Sequence, residues 1–409
     1  MSPAPRRWVA GSAALVLAGL GPVWLAPAAS ATDEGENPCD PQIVMATPRS
    51  IDTLAEQSAP AVRMHVAQAH RITRGAGVTV AVVDSGVGAG LGMDVVQESV
   101  PGFGGPLLSG HGSIVAGLIA GEHGVAPDAR ILSMRVLDKN DPDVEEGERP
   151  VTSTSLAAGL NRLADLHGRI PFGVVNISLT MPLPDPVLKA AVKRLQQRDV
   201  VVVAAAGNAP AEESSAYPGT PDSDAEVYPA DYPGVLGVSA VGPGGDTDLR
   251  PYVRPNKQTD VAAPTLGALS VNLNGQKCQV SEEIATSYAA AQVSGVVALL
   301  RARFPRETAK QVVARLVRTA EGSDLRPNPW TGAGVVQAAD ALTHQLAPRR
   351  NGQLSRSEAE PRSDATAPPA PVREDVHGPS RHMLLWFALV LGAVVALAFV
   401  TRPLLRRLS

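Results

Sequence analysis

The stretch VTVAVVDSGVG, residues 78–88, decides the fold. Its first six residues form a continuous β-branched, apolar run, the composition of a strand buried on both faces in a parallel sheet. The run ends on Asp84, and Ser85-Gly86 then turns the chain. The same kind of run recurs downstream, giving strand candidates Val78–Val83, Ile131–Leu137, Val174–Leu179, Val200–Ala205, Val235–Val241 and Asp260–Ala263. Helical patterns lie between and after them, over Gly112–Gly121, Ser153–His167, Pro186–Arg198, Ser287–Phe304, Thr308–Thr319 and Val335–Leu342, with a further apolar helical pattern over Val62–Ile72. Pro305 stops the Ser287 helix. Strands alternating with helices predict an α/β fold, a doubly wound, mostly parallel sheet with helices on both faces. In such sheets sites form at the carboxyl ends of the strands, where Asp84 is placed.

Three other motifs carry polar residues into comparable junctions. His111 stands between glycines in GHGSIVAGLIAG (110–121), at the start of a small-residue helix. Ser287 opens another in ATSYAAAQVSGVVALL (285–300), where the helix dipole favours a developing negative charge. Asn208 closes AAAGN (204–208), and its side-chain amide can donate to an oxyanion, with the Ser287 N–H as second donor. Taken singly, each has an ordinary reading: a turn Asp, a helix-start His, an N-cap Ser, a turn Asn. Together, and in the order Asp, His, Ser, they match the chain order of a subtilisin triad, with His111 as general base and Asp84 fixing its tautomer. The other seven histidines have no such context.

The rest of the 409-residue chain frames this domain. A net charge of -4 gives no sign of nucleic-acid binding. Arg6-Arg7, an apolar run through Leu25 and Ala29-Ser30-Ala31 read as a signal peptide over 1–31. Residues 32–61 read as a polar N-terminal extension, too short for a folded inhibitory prodomain, and 62–346 as the main domain. Residues 347–382, rich in Pro, Ser, Arg and Glu, read as a disordered linker. Met383 to Val400 is apolar and uncharged and long enough for one transmembrane helix. Arg402, Arg406 and Arg407 then place the tail, 401–409, on the cytoplasmic side and the main domain outside. Cys39 and Cys278, the two cysteines of an exported chain, most simply form one disulfide. The acidic stretch 138–148 (DKNDPDVEEGE) reads as a solvated loop, with a calcium site as the alternative; no other metal site and no cofactor are expected.

From about Val62 to Leu342 the chain resembles the subtilisin-like (S8) serine peptidases. GVAPDARILSMRVL (124–137), VVNISL (174–179), YPADYPGVLGVSAV (228–241), DVAAP (260–264) and GAGVVQAADAL (332–342) resemble family segments in their usual order. The resemblance implies a catalytic triad of Asp84, His111 and Ser287, an oxyanion role for Asn208, and a substrate cleft bordered by Ser178, Leu179 and Thr180. It also implies a peptide or protein substrate that adds to the cleft as an extended strand. The outer architecture is similar to that of the mycosins, membrane-anchored proteases of type VII secretion systems, and implies secretion membrane components as partners. Three departures stand out. Ala285 replaces a family glycine, and its methyl is expected to press on the substrate carbonyl and slow the enzyme. The segment SGVGAGLGMD (85–94) lacks the usual Asn/His-Pro pattern. Thr180-Met181 replaces a glycine-rich step and is expected to narrow the cleft. The alternative reading is a scaffold of a secretion complex with weak or vestigial activity.

Overall fold

The computed structural model describes residues 39–42, 44, 58–139, 147–209, 226–244, 247–280, 284–322, 327–354 and 386. The expected signal peptide, most of the linker, the cytoplasmic tail and all but Trp386 of the expected membrane span lie outside them. Among the described residues no helix is long and apolar enough to cross a membrane.

Seven strands build the main sheet: β1 (Thr79–Asp84), β2 (Val95–Ser99), β3 (Arg130–Arg135), β4 (Val174–Ile177), β5 (Val201–Ala205), β6 (Leu236–Val241) and β7 (Thr259–Pro264). All neighbours pair in parallel, in the order β2-β3-β1-β4-β5-β6-β7. From β1 the chain crosses to the edge strand β2, returns to β3 between them, and then proceeds on the other side of β1 from β4 outward to β7. β1 lies at this reversal, and Asp84 closes it, so the carboxylate emerges at the crevice that the topology opens. A short antiparallel hairpin, β8 (Leu269–Val271) with β9 (Lys277–Gln279), stands apart from the sheet.

The helices are α1 (Ala59–Arg63), α2 (Val66–His70), α3 (His111–Ala120), α4 (Ser153–Leu166), α5 (Pro186–Gln196), α6 (Thr286–Arg303), α7 (Ala309–Arg318) and α8 (Ala338–Thr343). Alternation along β1 divides the core in two. Val80 and Val82 pack with α3, α6 and α8, whereas Ala81 and Val83 pack on the opposite face with α4 and α5. Helix starts follow the sequence chemistry. Thr152 and Ser155 form a capping box on α4, Thr308 and Gln311 another on α7, and Asp185 caps α5 ahead of Pro186.

Four expectations need correction. The Val62–Ile72 pattern is two helices rather than one, because His65 takes a left-handed conformation (φ 57°) between them. β2 and the β8–β9 hairpin add strands that the apolar runs did not announce. The folded part also continues past residue 346. Pro348 O accepts from Gln311 Nε2 (2.6 Å) and Arg350 O from Thr308 Oγ1 (3.1 Å), so 347–353 is fastened to α7. Asp138, read as part of a solvated loop, is buried. It accepts from Arg135 Nη2 (2.6 Å) and the Arg149 N–H (3.1 Å), closing the base of that loop.

Cys39 and Cys278 are bonded to each other, with Cα atoms 4.9 Å apart across 239 residues of sequence. Cys39 N–H donates to Gln279 O (3.0 Å), so the extension runs beside β9. Two residues later Pro41 O accepts from the N–H of Gly110, immediately before His111 (2.7 Å).

Candidate active site

Asp84 is fully buried. Its Oδ1 accepts from the Ser85 N–H (2.7 Å) and from Nδ1–H of His111 (2.9 Å), and its Oδ2 lies 3.0 Å from the same nitrogen. A carboxylate only accepts, so this contact holds the imidazole proton on Nδ1 and leaves Nε2 as the basic nitrogen.

The turn after Asp84 holds the helix that carries His111. Ser85 Oγ donates to Ser109 O (3.2 Å) and accepts from the Gly112 N–H (3.1 Å). The His111 N–H donates to Ser109 Oγ (3.3 Å). Gly86 takes φ +97°, and a Cβ on Gly112 would lie 2.3 Å from Gly86 O. The glycine after His111 therefore follows from the close approach of β1's turn to the first turn of α3. The imidazole is 12% exposed. The ring of Tyr288 stacks on it, with centroids 5.8 Å apart and planes inclined by 28°.

Tyr288 is the residue after Ser287, so this contact brings the start of α6 to His111. Asn208 reaches the same place from β5, beyond Gly207 (φ +108°). Its Oδ1 accepts from both the N–H and the Oγ1–H of Thr286, at 2.8 Å each. These two donors orient the amide, so its Nδ2–H₂ is the end that can donate to a substrate oxygen. The structure thus brings Asp84, His111, Asn208 and the Thr286–Tyr288 turn into one cluster.

The expected rim residues behave less uniformly. Ser178 and Leu179 are buried, and Ser178 Oγ donates to the backbone carbonyl of Ser287 (2.7 Å). Thr180 is partly exposed. The next residue, Met181, pairs its backbone with Tyr228 in both directions (2.7 and 2.9 Å).

Ala285 needs no special backbone conformation. It occupies the N-cap position of α6 with φ -119°, which any L-residue adopts, and it is 4% exposed. Its methyl belongs to the core that includes Ile284 and Ala289. Sequence reasoning also passed over Ser85, Ser109, Thr286 and Tyr288, although each directly adjoins a residue that it did select or its flanking glycine.

A profile of the subtilase family matches residues 75–340, more than half of the chain. The chain belongs to the subtilase family. Mycosin-1 of Mycobacterium tuberculosis is 32% identical over 422 aligned positions, which cover 91% of each chain. Among solved structures, the MycP3 protease from a type VII (ESX-3) secretion system is 32% identical, with TM-score 0.60, covering 76% of this chain and 95% of that one. A chain in the periplasmic assembly from the ESX-5 inner membrane complex matches with 25% identity and TM-score 0.60, over 82% of this chain and 92% of that one. This subtilase is accordingly a serine peptidase of the mycosin type.

Proposed function

We propose that the subtilase is a membrane-anchored, extracytoplasmic serine endopeptidase with Asp84, His111 and Ser287 as its triad. The observation that carries this reading is the imidazole of His111, held at Nδ1 by a buried carboxylate and covered by the residue next to Ser287. Ser287 Oγ attacks the peptide carbonyl carbon while His111 Nε2 takes the hydroxyl proton. Asp84 stabilises the imidazolium. Asn208 Nδ2–H₂ and the Ser287 N–H donate to the oxyanion, Thr286 having turned the amide the right way. Collapse breaks the C–N bond, with the His111 proton passing to the leaving amine. Water, deprotonated by the same imidazole, then releases the acyl group.

The proposal is tested by labelling with a fluorophosphonate probe. The wild-type protein is expected to label at Ser287 and Ser287→Ala not at all, with a fall in peptidase activity on the order of 10⁶. A folded wild-type sample that stays unlabelled would overturn the triad.

The proposed location has separate support. The uncharged run 383–400 followed by Arg402, Arg406 and Arg407 fits a single span with the catalytic domain outside. The similarity to a chain of the ESX-5 periplasmic assembly favours secretion-system membrane components as partners. That similarity also favours a second role, as a stabilising component of such a complex. Complementation of a deletion strain with Ser287→Ala separates the two: restored secretion would assign the contribution to assembly, and failed secretion to proteolysis.

A further inference from the structure

We infer that Ser294, Asn176 and Ser178 form a buried positioning relay for the nucleophile, an inference that rests on Ser287 being that nucleophile. Three hydrogen bonds run in one sense. Ser294 Oγ–H donates to Asn176 Oδ1 (3.0 Å), Asn176 Nδ2–H to Ser178 Oγ (2.9 Å), and Ser178 Oγ–H to the carbonyl of Ser287 (2.7 Å). Asn176 and Ser294 are fully buried, and Ser178 is 3% exposed. Each bond aligns the next dipole, so the chain is stronger than three separate bonds, and it ends on the backbone of Ser287.

The placement follows from two periodicities. Ser287 and Ser294 are seven residues apart, two turns on one face of α6; Asn176 and Ser178 are two apart and point to the same side of the sheet. The bonds therefore pin α6 to β4 and its exit at two levels, with Ser178 under Ser287 and Asn176 under Ser294.

Helix α6 needs such pins. It is buried nearly all round and its first turns are lined with Ala289, Ala290, Ala291 and Gly295, so near Ser287 its rotation is set by few side chains besides Gln292, which donates to Pro264 O (2.6 Å). Hydrogen bonds have direction and a narrow distance range, and here they supply what apolar packing does not. Burying three polar side chains carries a desolvation cost that apolar residues at these positions would avoid. Rotation of α6 swings the Cα–Cβ bond of Ser287, and a displacement of about 1 Å at a reacting group is enough to cost about 10²-fold in rate.

The test uses Ser178→Ala, Ser294→Ala, the double variant and Ser294→Cys. Each is read by kcat and KM on a peptide substrate, the rate constant of fluorophosphonate labelling, and the melting temperature. Ser178→Ala is expected to lower kcat and the labelling rate by about 10- to 100-fold, and Ser294→Ala by about 3- to 10-fold, with KM changed less than about 2-fold. The double variant is expected to lose less than the product of the two single losses, because part of what Ser294 does is transmitted through Ser178. Ser294→Cys, which keeps a weak donor of similar size, is expected to recover part of the rate. Wild-type labelling at Ser287 together with an unchanged labelling rate in Ser294→Ala would overturn the relay alone. So would additive losses in the double variant, or losses confined to KM or melting temperature. Absence of wild-type labelling at Ser287 would overturn the nucleophile, and the relay with it.

Discussion

The helices of ten residues or more fall into two kinds at their N-termini, and the division follows function. α4, α5 and α7 are capped by the side chains of Thr152, Asp185 and Thr308. α3 and α6, which carry His111 and Ser287, have Gly110 and Ala285 at the cap position and no side-chain cap bond. Apart from the His111 N–H, which donates to Ser109 Oγ, donors at these two starts are met by groups brought from elsewhere in the fold. Ser85 Oγ accepts from the Gly112 N–H, Pro41 O from the Gly110 N–H, and Asn208 Oδ1 from the Thr286 N–H. A local cap stabilises a helix by itself; a remote one fixes where the helix start sits relative to another strand. The two helices bearing the proposed catalytic side chains use the second device, and the helices that cover the sheet use the first.

The sharpest way to break this contrast is to remove a remote cap that is also a proposed oxyanion donor. Asn208→Ala is expected to lower kcat by about 10²–10³ with a small effect on KM. Thr286→Val keeps shape but loses the hydroxyl donor to Asn208 Oδ1, so the amide is oriented by the backbone N–H alone. Its kcat is expected to fall by about 10-fold, the cost of one weakened hydrogen bond. Steady-state kinetics on one peptide substrate checks both. Equal losses in the two variants would mean that Thr286 itself reaches the oxyanion rather than orienting Asn208.

Comparing cap strengths also needs a pH at which other groups are quiet. Asp260 on β7 is the group to watch. Burial pushes its carboxyl up to about 6, opposed by one hydrogen bond from the Gly237 N–H (2.9 Å). Between about pH 4 and 6 the folded state therefore binds more protons than the unfolded chain, and stability falls as pH rises through that window. The fall is expected to be on the order of 2 kcal/mol and complete by about pH 7. Asp260→Asn should flatten the profile, as followed by urea unfolding from pH 4 to 8. A profile that rises over the same window in the wild type would refute the assignment.

Much of this was legible in the sequence, and the failures have physical causes. Strands such as Val80–Val83 and Val201–Ala205 are buried on both faces, so composition alone announces them. β2 reads VVQES, is half-exposed and sits at the sheet edge, so it lacks that signature. In the site, Asp84, His111, Ser287 and Asn208 stand out because each closes or opens an apolar segment next to a glycine or a small residue. Asn176 and Ser294 do not, since one lies inside a strand, the other inside a helix, and 118 residues separate them. Ala285 shows the same limit of adjacency: its methyl is next to Thr286-Ser287 in sequence, but it is buried in the core with Ile284 and Ala289.

The smallest expected effects separate the two kinds of helix start most cleanly. Thr152→Ala and Thr308→Ala should each cost about 1 kcal/mol in urea unfolding and leave kcat unchanged, because neither cap touches the site. Ala285→Gly is the matching substitution on α6. Its side chain makes no cap bond, its methyl is buried in the core, and its φ of -119° needs no glycine. The variant should therefore lose about 1 kcal/mol, from a buried methyl and a more flexible backbone, with kcat within about 2-fold of wild type. If methyl removal instead raised kcat by 10-fold or more, Ala285 would be crowding the oxyanion after all. The start of α6 would then be held back by its own sequence rather than positioned by Asn208.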